Sequence, residues 1–258
     1  MPFHTTDGIR YLTFDHFPKN IVHAVFTRQG GLSPAPWHSL NFGGTVGDER
    51  ERVLENRHRA FHALGREPHS MFDVWQVHGA DVVIAGAPSS PSPPEFKADA
   101  ILTDQPGITL FMRFADCVPI LLHDPRKGVV GVVHAGWQGT VKKILREAVR
   151  AMQATYNSHP ADILAAIGPS IGPDHYEIGE NVIEHVRASF KEDARSLLQA
   201  HNERIHFDLW GANRLTLEQA GVGQIEVAEI CTACHLHDWY SHRAEKGKTG
   251  RFGALIAL

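Results

Sequence analysis

The sequence predicts a mixed fold of strands and helices, α/β or α+β, built around a mixed sheet. Short Val- and Ile-rich runs separated by turn residues crowd the middle of the chain, the pattern of strands buried on both faces. Segments with apolar residues three and four positions apart lie before and after those runs, the pattern of amphipathic helices. The composition agrees: 43% hydrophobic and 21% charged residues in a chain of 258 exclude a disordered or fibrous protein. No linker and no internal repeat divides the chain, so it is expected to form a single domain over residues 1–258.

Taken in order, "IVHAVFTR" (21–28) reads as a strand and "QGGLSPAPWHSLNFGGTVGD" (29–48) as a long loop, of the kind that is functional or mobile. Asp48 and Glu51 then have N-cap spacing, and Val53, Leu54, Ala60, Phe61 and Leu64 follow in helical register. From Met71 come six strand-like runs: "MFDVWQV", "DVVIAG", "ADAILT", "ITLFMRF", "VPILLHD" and "GVVGVVHAG". The patch "APSSPSPPE" (87–95) reads as an exposed connection, because clustered prolines break a central strand. A helix over "TVKKILREAVRAMQATY", a strand "DILAAIGP", helices "ENVIEHVRASF" and "LWGANRLTLEQAG", and strands "IEVAEI" and "RFGALIAL" complete the chain.

The formal charge of −4 gives no electrostatic reason to bind nucleic acid. The first residues lack the basic and apolar regions of a secretory signal, and no apolar run approaches the roughly 20 residues that span a membrane. A cytoplasmic protein is expected, whose three cysteines, Cys117, Cys231 and Cys234, stay reduced and free to act as ligands or nucleophiles.

His78, Cys117 and His134 each stand at or near a predicted strand end beside small residues, where sheet proteins tend to place their sites. Two imidazoles and a thiolate suit Zn²⁺ and leave a fourth position open for water or substrate. A second reading needs no metal: Cys117 as a nucleophile activated by His134. Cys231-x-x-Cys234-His235 matches the haem-attachment pattern, which belongs outside the cytoplasm. A zinc site from Cys231, Cys234, His235 and His237 is crowded. Arg28, Arg243 and Arg251 sit in Gly-rich segments where guanidinium groups can clamp phosphate or carboxylate.

The motifs "FTRQGGLS", "SLNFGGTVGD", "QVHG", "ADAILT", "ADCVPILL", "HAGWQGT", "IGPSIGPDHYEIG" and "TGRFGALI", in that order along nearly the whole chain, resemble the bacterial laccase-domain proteins. These are also called polyphenol oxidase or multicopper oxidase family proteins and, more recently, purine nucleoside phosphorylases. The resemblance implies an α+β fold, β-sheets sandwiched between helix layers, similar to the deamidase domain of cytotoxic necrotizing factor. It also implies that His78, Cys117 and His134 are the zinc ligands of a catalytic site. The implied activities are phosphorolysis of adenosine, inosine, guanosine and methylthioadenosine, with phosphate as co-substrate, and deamination of adenosine.

On that resemblance Asp116 manages protons beside the metal, and Arg28, Ser33, Asn41, Gln76 and Arg243 bind a small-molecule nucleoside or its phosphate. Two departures stand out: Asp174 and His175 replace a usual pair of cysteines, and Gln138 replaces a usual cation. An alternative reading is a peptidoglycan editing hydrolase that removes L-serine from a nucleotide-linked muramyl precursor. Copper is the less favoured metal, because a multicopper oxidase needs several His-rich motifs and this chain has one His-x-His, at His235 and His237. The oligomeric state is left open.

Overall fold

The computed structural model describes residues 1–89, 94–201 and 203–258; the Pro-rich connection expected at 87–95 lies partly outside them. A first sheet is built from β1 (Phe3–Thr6), β2 (Ile9–Leu12), β3 (Val22–Phe26), β4 (Met71–Phe72), β7 (Thr109–Phe114) and β14 (Phe252–Ala257), in the order β1-β2-β3-β14-β7-β4. A second is built from β5 (Val82–Ile84), β6 (Ala100–Thr103), β8 (Val118–Asp124), β9 (Val129–Ala135), β10 (Leu164–Ile167) and β13 (Gln224–Val227), in the order β13-β10-β8-β9-β6-β5. A small hairpin, β11 (Leu198–His201) and β12 (Arg204–Phe207), stands apart. Both large sheets are mixed: β4 pairs parallel to β7, and β5 and β13 pair parallel to β6 and β10, while the other pairs are antiparallel.

The helices are α1 (Arg50–Ala63), α2 (Trp137–Val141), α3 (Ile144–Tyr156), α4 (Glu180–Phe190), α5 (Ala194–Leu197) and α6 (Leu209–Gln219). Because side chains alternate along a strand, each sheet offers one face to the other sheet and one to a helix. Val25, Leu110, Met112, Ala254 and Ile256 of the first sheet meet Ile101, Leu121, Val130, Val132 and Ala166 of the second. Ala60 and Phe61 of α1 cover the outer face of the first sheet, against Ala24, Phe26, Phe111 and Leu255. Residues of α3, α4 and α6 cover the second, where Ile144, Leu145, Ala148, Val149 and Met152 lie in one fully buried cluster. The expected sandwich of sheets between helix layers is what the chain forms. Among the described residues no helix is long and apolar enough to cross a membrane.

Several elements differ from the sequence expectation for identifiable reasons. The long helix breaks at Lys143, which takes a left-handed φ of 62° and separates α2 from α3. "MFDVWQV" keeps only two strand residues, since the chain then leaves the first sheet towards the second. α1 is capped by Glu49 without a side-chain bond. Asp48 instead turns its carboxylate back into the preceding loop, accepting from Ser33 Oγ at 2.5 Å and Asn41 Nδ2 at 2.9 Å. Leu54, expected on the buried face of α1, is 48% exposed.

The long loop 29–48 is held by Asn56, a fully buried residue of α1. Its amide donates to Ser33 Oγ and the Asn41 carbonyl, both at 2.9 Å, and its Oδ1 accepts from the Leu32 N–H at 2.9 Å. Asn56→Ala strands these buried groups, each worth about 1–3 kcal/mol when left unpaired. The variant is expected to lose roughly 2–4 kcal/mol in urea unfolding; a loss within error of zero would show that the loop is held by something else.

Candidate metal centre and substrate cavity

Strand register assembles the centre. β8 and β9 pair so that Val118 faces Ala135, which sets Cys117, one residue before β8, against Gly136, one residue after β9. β6 and β9 pair so that Ala100 faces Val133, and the ladder continues with the His134 N–H donating to the Asp99 carbonyl at 2.8 Å. One antiparallel pairing thus brings Cys117 to His134, and the other brings Asp99 to His134. His78 arrives from the irregular segment between β4 and β5, at a left-handed φ of 57°. Its Nε2 lies 3.9 Å from Cys117 Sγ, and the His78 and His134 rings are 5.0 Å apart. One ligand atom from each of the three residues falls within 4.8 Å of the other two.

Asp99, which the sequence reading did not single out, organises this set. It is completely buried. Its Oδ1 takes the His134 Nδ1 proton at 2.8 Å and the His78 backbone N–H at 3.1 Å. Its Oδ2 takes the N–H groups of Gly79 at 2.6 Å and Val77 at 3.2 Å. One carboxylate therefore holds the Nδ1 proton of one histidine, so that Nε2 is the nitrogen turned to a metal, and anchors the backbone that carries the other. A carboxylate–histidine pair of this form is the usual support of a metal-bound imidazole. Burial alone would raise the Asp99 carboxyl pKa; the His134 bond and charge, then the loop N–H groups, outweigh it and hold the pKa below the usual carboxylate value.

The residues fit a metal on three counts: the donor set, the tautomer, and the space. A Cβ built on Gly136 would lie 2.9 Å from Cys117 Sγ and 3.0 Å from His78 Cδ2, so only glycine leaves the donors free to converge. Electrostatics agree. Burial opposes ionisation of Cys117, but the charge and hydrogen bond of His134, then those of His78, outweigh it and bring the thiol down to about 6. His134 responds in the opposite sense: burial lowers its pKa, and the Cys117 thiolate with the Asp99 bond raises it to about 9. Metal-free protein thus carries a thiolate–imidazolium pair at neutral pH. Alkylation of Cys117 in chelated protein is expected to follow a midpoint near 6 rather than the ordinary 9.0, because the thiolate is the nucleophile. Peptide mass spectrometry across pH reads this directly. Zn²⁺ held by these donors is expected to block the reaction when added, and a midpoint near 9 would remove the pairing.

Two openings reach the centre. The larger, about 710 Å³, is walled by Trp75, Phe114 and Tyr176, by Gln76 and Arg113, and by His242, Arg243 and Arg251, with His78, Asp116, Cys117 and His134 at its floor. The smaller, about 240 Å³, reaches His78, Asp116 and Cys117 past Trp137, Gln138, Ile171, Tyr176 and Leu209. Gln138, the departure from a usual cation, therefore lies on the smaller side.

The other expected site residues divide. Gln76 lines the large cavity, and its amide is locked to the Arg113 backbone by bonds of 2.8 and 3.0 Å. Arg243 lines it with its guanidinium 5.2 Å above the Tyr176 ring and one N–H on the Glu177 carbonyl at 2.9 Å. Asp116 is present, but both of its oxygens are engaged, by Thr232 Oγ1 and by the Arg243 N–H, each at 2.6 Å. It serves as an anchor at a left-handed φ of 79°, turning the chain so that Cys117 faces the cavity.

Arg28 is not brought there. It lines a separate surface pocket, where its guanidinium is spent on the His38 and Leu236 carbonyls and Glu245, over the Tyr240 ring. Ser33 and Asn41 are buried in the loop network and line neither opening. Asn41 acts at one remove: its Oδ1 accepts from the N–H groups of Gly43 and Arg251, both at 2.9 Å and both cavity residues.

Known proteins share this chain's sequence and shape over almost their full length. It is 41% identical to a purine nucleoside phosphorylase of Deinococcus radiodurans over 92% of this chain and 89% of that one. It is 34% identical to purine nucleoside phosphorylase YfiH of Escherichia coli, over 93% and 95%. The crystal structure of hypothetical protein YfiH from Bacillus licheniformis superposes with a TM-score of 0.93 at 32% identity, covering 100% of this chain and 99% of that one. That of YlmD from Geobacillus stearothermophilus gives 0.90 at 35% identity, covering 97% and 96%. Residues 22–258 match the family model described as multi-copper polyphenol oxidoreductase laccase, and the chain belongs to that family.

Proposed function

We propose that this chain is a Zn²⁺-dependent purine nucleoside enzyme of the cytoplasm, acting as one unit over residues 1–258. It phosphorolyses adenosine, inosine, guanosine and methylthioadenosine and deaminates adenosine. The observation that carries this reading is the large cavity: aromatic walls, a cationic rim and a two-histidine, one-cysteine floor in one space of about 710 Å³. The names of its relatives, purine nucleoside phosphorylases, support it.

When bound, the metal would supply Lewis-acid chemistry at that floor, held by His78, Cys117 and His134. The protein's own groups bind and orient. Trp75, Phe114 and Tyr176 offer flat surfaces for a purine, with Tyr176 kept protonated because burial raises its pKa. Arg243 and Arg251 are the cations for phosphate, in place of Arg28, and Asn41 holds the Arg251 backbone. In phosphorolysis a phosphate oxygen bonds to ribose C1′ while the C1′–N9 bond breaks, and the departing base takes up the proton that hydrogen phosphate gives away. In deamination water adds at C6 and ammonia leaves, with no phosphate required. Cys117, His134 and Asp99 alone would also make a nucleophile, base and orienting carboxylate; what favours a ligand role for the thiolate is His78, a third donor 3.9 Å from Cys117 Sγ.

The deciding experiment is chromatography of products from adenosine, with and without phosphate, beside a Cys117→Ala control. Phosphate-dependent adenine with phosphate-independent inosine, both lost in the control, is the expected result. Zinc-loaded protein that forms neither product would overturn the nucleoside reading and direct attention to the cell-wall amide.

A further inference from the structure

A second group of metal-ligating side chains converges outside the cavity, and it unites two stretches that the sequence left separate. The turn Gly172–Tyr176 carries Asp174 and His175, and the turn Cys231–Cys234 lies beside it, 60 residues on from Asp174 to Cys234. We propose that Asp174, His175, Cys231 and Cys234 form a second, closed metal site of structural type that selects Zn²⁺.

Distances carry the argument. His175 Nδ1 lies 3.5 Å from Cys234 Sγ and 3.7 Å from Cys231 Sγ. Asp174 Oδ2 lies 3.0 Å from His175 Nδ1 and 3.5 Å from Cys234 Sγ. Four donors in a tetrahedron around zinc, with bonds of about 2.0–2.3 Å, stand about 3.3–3.8 Å from one another, and this group is already close to that spacing. Hydrogen bonding explains the convergence poorly. An imidazole nitrogen carries at most one proton, yet two sulfurs and a carboxylate oxygen crowd the same nitrogen.

The support around the ligands has the form expected of a metal thiolate. The Gly172 N–H donates to Cys231 Sγ at 3.2 Å, and a Cβ on Gly172 would sit 2.6 Å from Asp174 Oδ1. Four protein donors leave no open position, so the site is structural rather than catalytic, and two thiolates favour zinc over oxygen-loving cations. The ligands are not those the spacing suggested: His235 turns its Nδ1 to the Cys231 carbonyl at 2.9 Å, and Asp174 and His175 take the remaining places. The site also has something to brace. Thr232, next to Cys231, donates to Asp116 beside Cys117, and Tyr176, next to His175, lines both openings.

Metal counting on the full chain tests this without reference to activity. Chelated protein is reloaded with Zn²⁺ and analysed by inductively coupled plasma mass spectrometry. Two equivalents are expected in the wild type, one in Cys117→Ser, and none in Cys117→Ser combined with Cys234→Ser. His175 and Cys234 are exposed, so their replacement opens no cavity in the core, and His78→Ala replaces Cys117→Ser if the latter fails to fold. Co²⁺ added to Cys117→Ser should give a thiolate charge-transfer band that His175→Ala weakens and Cys234→Ser reduces further. Folded Cys117→Ser that binds no zinc, an equivalent that survives in Cys117→Ser after loss of both His175 and Cys234, or recovery of Cys231 and Cys234 as a disulfide would each overturn the proposal. Failure at the first centre alone looks different: the metal is then lost with His175 but indifferent to Cys117.

Discussion

Asp99→Asn is expected to lose metal and turnover by about 10–100-fold, the usual effect of removing the support of a ligating histidine. The asparagine has no good orientation. If its oxygen faces the loop, its NH₂ meets His134 Nδ1 and drives the ring to the tautomer with a proton on Nε2, which cannot ligate. If its oxygen faces His134, the NH₂ confronts the N–H groups of Val77 and Gly79 that Oδ2 now satisfies. At least one buried donor then goes unpaired, so unfolding stability should fall by about 1–3 kcal/mol or more. The pH dependence has a defined sign. A carboxyl whose pKa is lowered on folding stabilises the fold above its unfolded value, and that stability is lost as pH falls through the folded value. The acid limb of a stability profile should therefore be flatter in Asp99→Asn. Metal content equal to wild type, with an unchanged acid limb, would mean that Asp99 does not support the centre.

Gly136→Ala should cost a comparable amount at the centre without leaving a buried donor unpaired. The Gly136 backbone, φ −76° and ψ 175°, is open to any residue, so no backbone strain arises. The new methyl group instead meets Cys117 Sγ and His78 Cδ2 at 2.9 and 3.0 Å. A donor pushed aside by more than about 0.2 Å leaves the range of a metal bond, while overpacking typically destabilises by about 1–3 kcal/mol. Zinc affinity by competition with a chelator, read beside the melting temperature, separates the two effects. Wild-type zinc affinity in Gly136→Ala would show that the three donors do not need to converge there.

The strands of both sheet centres were legible because burial on two faces leaves almost pure runs of Val, Ile and Leu. The N-terminal hairpin was not, since β1 is exposed and alternates too briefly. Its signal was Asp7-Gly8, the dipeptide that favours a tight hairpin with both central residues left-handed, and both φ values are positive, 50° and 81°. Among site residues, His78, Cys117 and His134 announced themselves at or near predicted strand ends, although His78 lies in the irregular segment between β4 and β5. Asp99 did not, because within the strand-like run "ADAILT" nothing distinguishes it until register sets it beside His134. Arg28 misled for the converse reason: an arginine in a Gly-rich loop looks free, and the carbonyls and Glu245 that engage it come mostly from some 210 residues later in the chain.

β14 lies in the middle of its sheet, between β3 and β7, with Ala254 opposite both Val25 and Met112. During synthesis the first sheet therefore stays split in two until residues 252–257 have left the ribosome, however early β3 emerged. Apolar strand edges wait exposed until then, and pairings so distant in sequence form slowly. Expression yield should accordingly depend more on chaperone supply during elongation than on the stability of the finished molecule.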